Sequence, residues 1–210
     1  ELLEDVKSEQ ELVRVIAEQL KILKQDDSKI RSLVEILKGI EAKKAGSKVL
    51  VFSYFSDTVA YLQENLESMT PHITAANIGF VSSNNGSDSE RLASRFSPNS
   101  KRYTLKGDES ELQFLVATDV LSEGQNLQDA GILINYDLHW NPVRMIQRNG
   151  RVNRLGTKYK EVSIHNMRPE RKLDSYLNLV QRLQGKIDMI RNTIGTDTPV
   201  LDEPENAIEY

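Results

Sequence analysis

Five short apolar runs, set between stretches with helical periodicity, constrain this chain more than any other feature. They are Lys48–Tyr54 (KVLVFSY), Ile73–Val81, Leu112–Thr118 (LQFLVAT), Gly131–Tyr136 (GILINY) and Glu161–Met167. Each is rich in β-forming residues and bounded by turn signals, the mark of a buried strand. The stretches between them repeat their apolar residues at helical spacing. A helix is expected from Ser56 to about Leu66, and another ends near Phe96 before Ser97-Pro98, opened by the capping-box spacing of Ser87 and Glu90. Two more precede the first strand. Residues 8–24 have Ser8 and Glu11 at capping-box spacing, and residues 28–43 close on Lys43-Lys44-Ala45-Gly46. A long helix is expected over Pro169–Asn192, packing on the sheet domain or on residues 8–24. Strands alternating with helices predict an α/β fold: a mostly parallel sheet with helices on both faces, joined by right-handed crossovers. Ligands of such sheets bind beyond the carboxyl ends of the strands. The loops after Tyr54, Thr118 and Tyr136 are therefore where chemistry is expected.

The loop after Tyr136 leads into WNPVRMIQRNGRVNRLGT, Trp140–Thr157. Asn141 suits an N-cap and Pro142 the first helical position. Arg144, Gln147, Arg151 and Arg154 then follow at steps of three, four and three, one stripe on one helix face. Guanidinium forks match phosphate oxygens bidentately and keep their charge. Asn141–Lys160 holds six basic residues and no acidic one. The stripe alone fits either phosphate binding or a solvated face. Gly150, mid-run, marks a helix break or a close backbone approach. Trp140 is expected to anchor the helix start by packing, with stacking on a base as the alternative, and Met145 and Ile146 to enter the core.

Composition narrows the classes. The 210 residues are 39% hydrophobic and 28% charged with net charge −4, which suits one α/β domain with appendages. An acidic total argues against a basic nucleic-acid coat, so any such contact must come from local patches. No run approaches the ~20 apolar residues of a membrane span. The absence of cysteine excludes disulfides and cysteine-based zinc sites and fits a reducing compartment. His72, His139 and His165 are too scattered for a metal site. The opening Glu fits a segment cut from a longer protein. The organisation expected is a helical lead-in (1–46), the sheet domain (47–168), a C-terminal helix (169–196) and an acidic, poorly ordered tail (197–210).

Thr118-Asp119, at a strand's carboxyl end before the Gly-containing turn of Ser122–Asn126, can offer hydroxyl and N–H donors to phosphate or serve as plain turn capping. Taken together, these segments resemble the second RecA-like lobe of superfamily 2 helicases and translocases. KVLVFSYF resembles motif IV, LQFLVATDVLSEGQNL motif V, and WNPVRMIQRNGRVNRLGT motif VI with its Q-R-x-G-R-x-x-R core intact. Asn77–Phe96 resembles the stretch between motifs IV and V. Trp-Asn-Pro before motif VI, Asn126-Leu127 in motif V and Asp27-x-Lys29 are similar to the SWI/SNF-related branch. Thr118-Asp119 with Glu123-Gly124, and Gly156-Thr157, are closer to its bacterial members, including the group acting on RNA polymerase.

The resemblance implies an ATP-dependent DNA motor. Arg151 and Arg154 would be arginine fingers reaching the β- and γ-phosphates of ATP held on another lobe. Gln147 would contact the nucleotide region, and Glu123 and Gly124 would couple that cleft to the nucleic-acid track. Ser53, Arg91 and Thr118 would touch the nucleic-acid backbone. Against this stand plainer roles: Arg91 as a surface residue paired with an acid, and Ser53 as a turn residue. The sequence has no G-x-x-x-x-G-K-[ST] loop and no Asp-Glu-x-His box. ATP and Mg²⁺ would therefore be held mainly by a first lobe outside this chain, and the chain alone is expected not to hydrolyse ATP. The implied partners are double-stranded DNA, that first lobe, and RNA polymerase or another DNA-bound protein, in a bacterial cytoplasm or nucleoid and with no membrane. A helicase-like module that only binds nucleic acid or protein is the alternative.

Overall fold

A computed structural model describes residues 2–23, 27–83, 88–122, 125–154, 157–169, 174 and 177–194. The sequence expectations on Ser87, Glu123, Gly124 and the acidic tail lie outside those residues. Five strands, β1 (Val49–Ser53), β2 (Ile78–Val81), β3 (Phe114–Thr118), β4 (Ile132–Asn135) and β5 (Ser163–Asn166), form one sheet in the order β2-β3-β1-β4-β5. Every pairing is parallel. The helices are α1 (Leu2–Leu23), whose described side chains are all exposed, α2 (Ser28–Lys43), α3 (Ser56–Met69), α4 (Ser89–Phe96), α5 (Pro98–Lys101), α6 (Pro142–Val152) and α7 (Leu179–Ile194).

The strands alternate faces with period two, and the two faces build separate cores. Val49, Val51, Val116 and Ile134 pack with Ile30, Leu33 and Leu37 of α2 and Val59, Leu62 and Leu66 of α3. Leu50, Phe52, Leu115 and Leu133 pack with Ala93 and Phe96 of α4 and Val152 of α6. β1, β2, β3 and β4 are buried along their whole length, which is why they read as unbroken apolar runs. A third cluster joins Met145 of α6 to Leu183 and Ile187 of α7, so the C-terminal helix packs on the lobe.

Several expectations are corrected. The 8–24 helix starts at Leu2, and Ser8 lies inside it; Glu11 is taken by Arg14 at 2.7 and 3.0 Å instead of capping. β2 begins at Ile78 because Asn77 ties the preceding segment into a turn: its Oδ1 accepts from Thr74 N–H (2.9 Å), and its Nδ2 donates to the His72 carbonyl (2.8 Å). The long C-terminal helix is broken at Asn178, which sits in the left-handed region at φ 49°. The Asp174 carboxylate there accepts from the N–H groups of Leu179 and Val180, the first residues of α7. The ends of α2 follow the sequence. Asp27 Oδ1 caps Lys29 and Ile30, and Gly46 closes the far end at φ 74°.

Candidate functional site

Parallel pairing brings Ser53, Thr118, Asn135 and Asn166 to the same edge of the sheet, in register pairs Ser53–Thr118 and Asn135–Asn166. α6 begins next to this edge. Asn141 Oδ1 accepts from Val143 N–H at 3.0 Å, and Pro142 occupies the first position, as its sequence requires.

The helix is anchored by a residue that the stripe left out. Met145, Arg148, Asn149 and Val152 form its buried face. Arg148 is 0% exposed. Its Nε and Nη2 donate to the two carboxylate oxygens of Asp119 at 2.6 and 2.8 Å, a bidentate pair. Its Nη1 donates to Asn135 Oδ1 (3.3 Å) and to the Asp137 carbonyl (3.1 Å), and its guanidinium lies 5.4 Å from the Phe52 ring centroid. Asn135 in turn donates to Asn166 Oδ1 at 2.8 Å. One polar chain thus runs from β5 through β4 and α6 to the 3-10 turn Asp119–Ser122 after β3. The sequence did carry a signal for it. An Arg spaced among Met145 and Val152 must be buried, and a buried Arg needs a carboxylate.

With Arg148 pinned, α6 presents Arg144, Gln147 and Arg151 on its other face. Arg151 is half-buried, with Nη1 3.5 Å from the Gln125 carbonyl, and its own carbonyl accepts from Leu127 N–H at 3.3 Å. Arg154 corrects the four-residue stripe. The helix ends at Val152, and Asn153 leaves it with φ −90° and ψ 84°. Arg154 is exposed beyond that end and folds back, its Nε donating to the Gly150 carbonyl at 2.9 Å. Gly150 neither breaks the helix nor meets a neighbour, since nothing lies within 4 Å of an added Cβ. Asn149 is 1% exposed, and neither of its amide atoms finds a hydrogen-bond partner.

The other candidates are placed as follows. Ser53 is wholly buried: its hydroxyl donates to Asp137 Oδ2 at 2.5 Å and accepts from Phe55 N–H at 3.3 Å. Asp137 also takes Lys29 Nζ at 2.7 Å. Thr118 is buried and its hydroxyl has no partner. Arg91 is exposed on α4, its Nε 2.6 Å from Glu109. The Lys106 N–H, Arg91 and the Tyr103 hydroxyl together hold the Glu109 carboxyl down to about 2. Glu123 and Gly124 are not among the described residues. His139 is buried, and its Nδ1 accepts from Asn141 N–H at 2.9 Å; burial pushes its pKa below the ordinary value. Trp140 does not pack as expected. It is 61% exposed. Among the described residues, no group of three or more acids or histidines could hold a metal ion.

Comparison with known proteins bears on this arrangement. The helicase conserved C-terminal domain matches residues 28–156, which includes α2, all strands but β5, and α6. The chain belongs to that helicase domain family. An uncharacterised ATP-dependent helicase of Bacillus subtilis, YqhH, is 30% identical over 169 residues, 80% of this chain and 26% of that protein. The RNA polymerase-associated protein RapA of Vibrio campbellii is 27% identical over 88% of this chain and 17% of its own length. The chain thus spans about a quarter or less of these relatives. The C-terminal part of the Fun30 ATPase domain has the same fold, with TM-score 0.57 at 21% identity over 82% of this chain and 55% of that one. The sheet and its helices are those of a RecA-like helicase lobe, with α1 and α7 flanking it. Among the described residues, no helix is long and apolar enough to cross a membrane.

Proposed function

We propose that this chain is the C-terminal motor lobe of an ATP-dependent, SWI/SNF-related DNA helicase or translocase, with Arg151 and Arg154 as its arginine fingers. The observation that carries the proposal is the way α6 is built. A buried bidentate Arg148–Asp119 pair fixes the helix, with Arg151 half-buried on its last turn and Arg154 exposed just beyond its end. From Leu138 to Lys160 the sequence has six Lys and Arg residues and no Asp or Glu. Such a site suits phosphate, and fixed arginines are the main electrostatic aid to phosphoryl transfer.

The residues present fit one side of a nucleotide site. They supply cationic forks and an amide (Gln147), without the phosphate loop or acidic box that would hold the rest. ATP with Mg²⁺ would supply the transferable phosphoryl group, held mainly by a first lobe. Arg151 and Arg154 would present fixed charge to the phosphates, and Gln147 would orient polar groups beside them. Glu123 and Gly124 would link that cleft to the nucleic-acid track. Thr118, whose buried hydroxyl lacks a partner, Ser53 and Arg91 are the proposed contacts along a duplex backbone. Ser53 and Arg91 would first have to exchange Asp137 and Glu109 for phosphate. By likeness to the RapA proteins, RNA polymerase is the protein partner proposed. On this reading the 210-residue chain alone does not turn over ATP.

ATP hydrolysis by the full-length protein, with and without duplex DNA, tests the reading. Hydrolysis that rises on adding duplex is expected. Hydrolysis absent or indifferent to DNA would instead favour a helicase-like lobe that only binds.

A further inference from the structure

β5 is the last strand in the sheet order, paired only with β4 among the described strands. The N–H groups of Ser163 and Met167 donate to the carbonyls of Gly131 and Asn135 on the β4 side. Alternate residues of a parallel strand serve opposite neighbours, so Ile164 turns its N–H and carbonyl away from β4. An outer edge of this kind is a template for an added strand. A hollow of about 290 Å³ opens beside it. Ile36 and Ile40 of α2, Ile132 at the start of β4 and Ser163 at the start of β5 line it, and Lys43 and Lys44 at the end of α2 stand at its rim. It lies at the end of the sheet away from Ser53 and Thr118. The volume falls just short of the ~300–1,000 Å³ of small-ligand pockets and suits an apolar side chain. Gly39 also borders the hollow, and a Cβ added there would meet nothing within 4 Å. Glycine inside a helix costs about 1 kcal/mol relative to alanine, and here it keeps one wall open.

Charge at the rim selects the occupant. Lys43 and Lys44 are exposed, and among the described residues neither meets a carboxylate. A strand added here therefore needs an apolar side chain and a carboxylate on the same face, two residues apart. The chain carries such a segment after α7, in Pro199-Val200-Leu201-Asp202-Glu203-Pro204, where Leu201 and Glu203 share a face. Proline is tolerated on an outer strand. Residues 197–210 hold five acidic residues and no basic one, the complement of the two lysines. α7 ends at Ile194. The seven residues from there to Leu201 reach up to ~25 Å, more than the ~17 Å radius of gyration of a compact chain of this size. A segment tethered in this way acts at an effective concentration on the order of mM, so a few main-chain hydrogen bonds, one buried side chain and one ion pair suffice to hold it.

We propose that residues 200–203 of this chain add as a strand to the outer edge of β5, with Leu201 in the hollow and Glu203 at Lys43 and Lys44. The contact does not depend on the motor reading above, since it lies at the other end of the sheet from α6 and its arginines. It would cover the outer edge and bring the acidic segment back onto the lobe.

Amide hydrogen exchange on the 210-residue chain tests this at Ile164, whose N–H faces the proposed strand. Ile164 should be protected in the wild type, and Leu201→Asp should speed its exchange about 10-fold or more, as expected when a local contact opens. Gly39→Leu should do the same by filling the hollow, without lowering the melting temperature, because leucine is the better helix former. Lys43→Glu with Lys44→Glu should also speed exchange, and adding Glu203→Lys should restore protection. The chain has no cysteine, so an introduced pair reports cleanly. Under mild oxidation Lys43→Cys with Glu203→Cys should close a disulfide within one chain, faster than Lys43→Cys with Asp202→Cys, which points to the opposite face. Fast exchange at Ile164 in the wild type, or exchange unchanged by Leu201→Asp, would overturn the proposal. So would a disulfide that forms only between chains and rises with protein concentration, the mark of a second copy on this edge.

Discussion

Arg148 shows how much of the site depends on a side chain that touches nothing outside the lobe. Removing one member of a buried, hydrogen-bonded ion pair strands the other, at ~3–5 kcal/mol. Arg148→Ala should therefore destabilise the lobe by about that amount in urea melts, because Asp119 loses the bidentate guanidinium. Arg148→Met combined with Asp119→Leu should recover much of the loss, since replacing both charges leaves none buried alone. His139 makes a separate prediction about pH. Burial lowers its pKa in the folded lobe. As pH falls below the ~6.5 of the unfolded chain, the unfolded state binds the proton first, so stability must fall with it. Melting temperatures between pH 7.5 and 5.5 should decline in wild type and decline less in His139→Gln. At this scale the sequence was only partly legible. Asn141 and Pro142 act locally and were readable. Arg148 resembled its exposed neighbours in composition, and only its place among Met145, Asn149 and Val152 betrayed its burial.

Among the elements, the strands were the most legible, because burial on both faces leaves an unbroken apolar run that little else produces. What escaped were boundaries set by single polar side chains. Asn77 delays β2, Asn178 with Asp174 starts α7 afresh, and Asn153 ends α6 before Arg154. None of these alters the hydrophobic period, so periodicity could not reveal them. α6 also carries a glycine that its own geometry does not need. Gly150 is helical, and an added methyl would meet open space. Gly150→Ala should therefore stabilise the lobe by up to ~1 kcal/mol, the intrinsic difference between the two residues in a helix. For a chain of this size that is a rise of ~2–4 °C in melting temperature. If melting rises while ATP hydrolysis by the full-length protein falls, the open space over Gly150 belongs to the partner lobe.

The whole molecule is a two-faced parallel sheet whose chemistry-bearing residues gather at one end: the anchored α6 with Arg144, Gln147 and Arg151, and Arg154 just beyond it. The family was legible from motif order alone, because motifs IV, V and VI are the ends of β1, β3 and α6 brought to one edge. Which hydroxyls and arginines are already engaged inside the lobe was not legible, since Ser53–Asp137 and Arg91–Glu109 join residues far apart in sequence. A duplex tracked through its backbone should be released by salt. If six or more phosphates are engaged, binding by the full-length protein should weaken on the order of 10³-fold between ~50 and ~200 mM salt, with little dependence on sequence. Filter binding across that range checks it. The central claim is that α6 is pinned by Arg148 so that Arg151 can serve the phosphates of ATP. The most direct test is duplex-stimulated ATP hydrolysis by full-length Arg151→Ala against wild type, with folding verified by melting. A loss of ~10³-fold or more at unchanged stability is predicted, the scale on which arginine fingers act. Turnover equal to wild type would contradict it and leave the arginines of α6 as a solvated face.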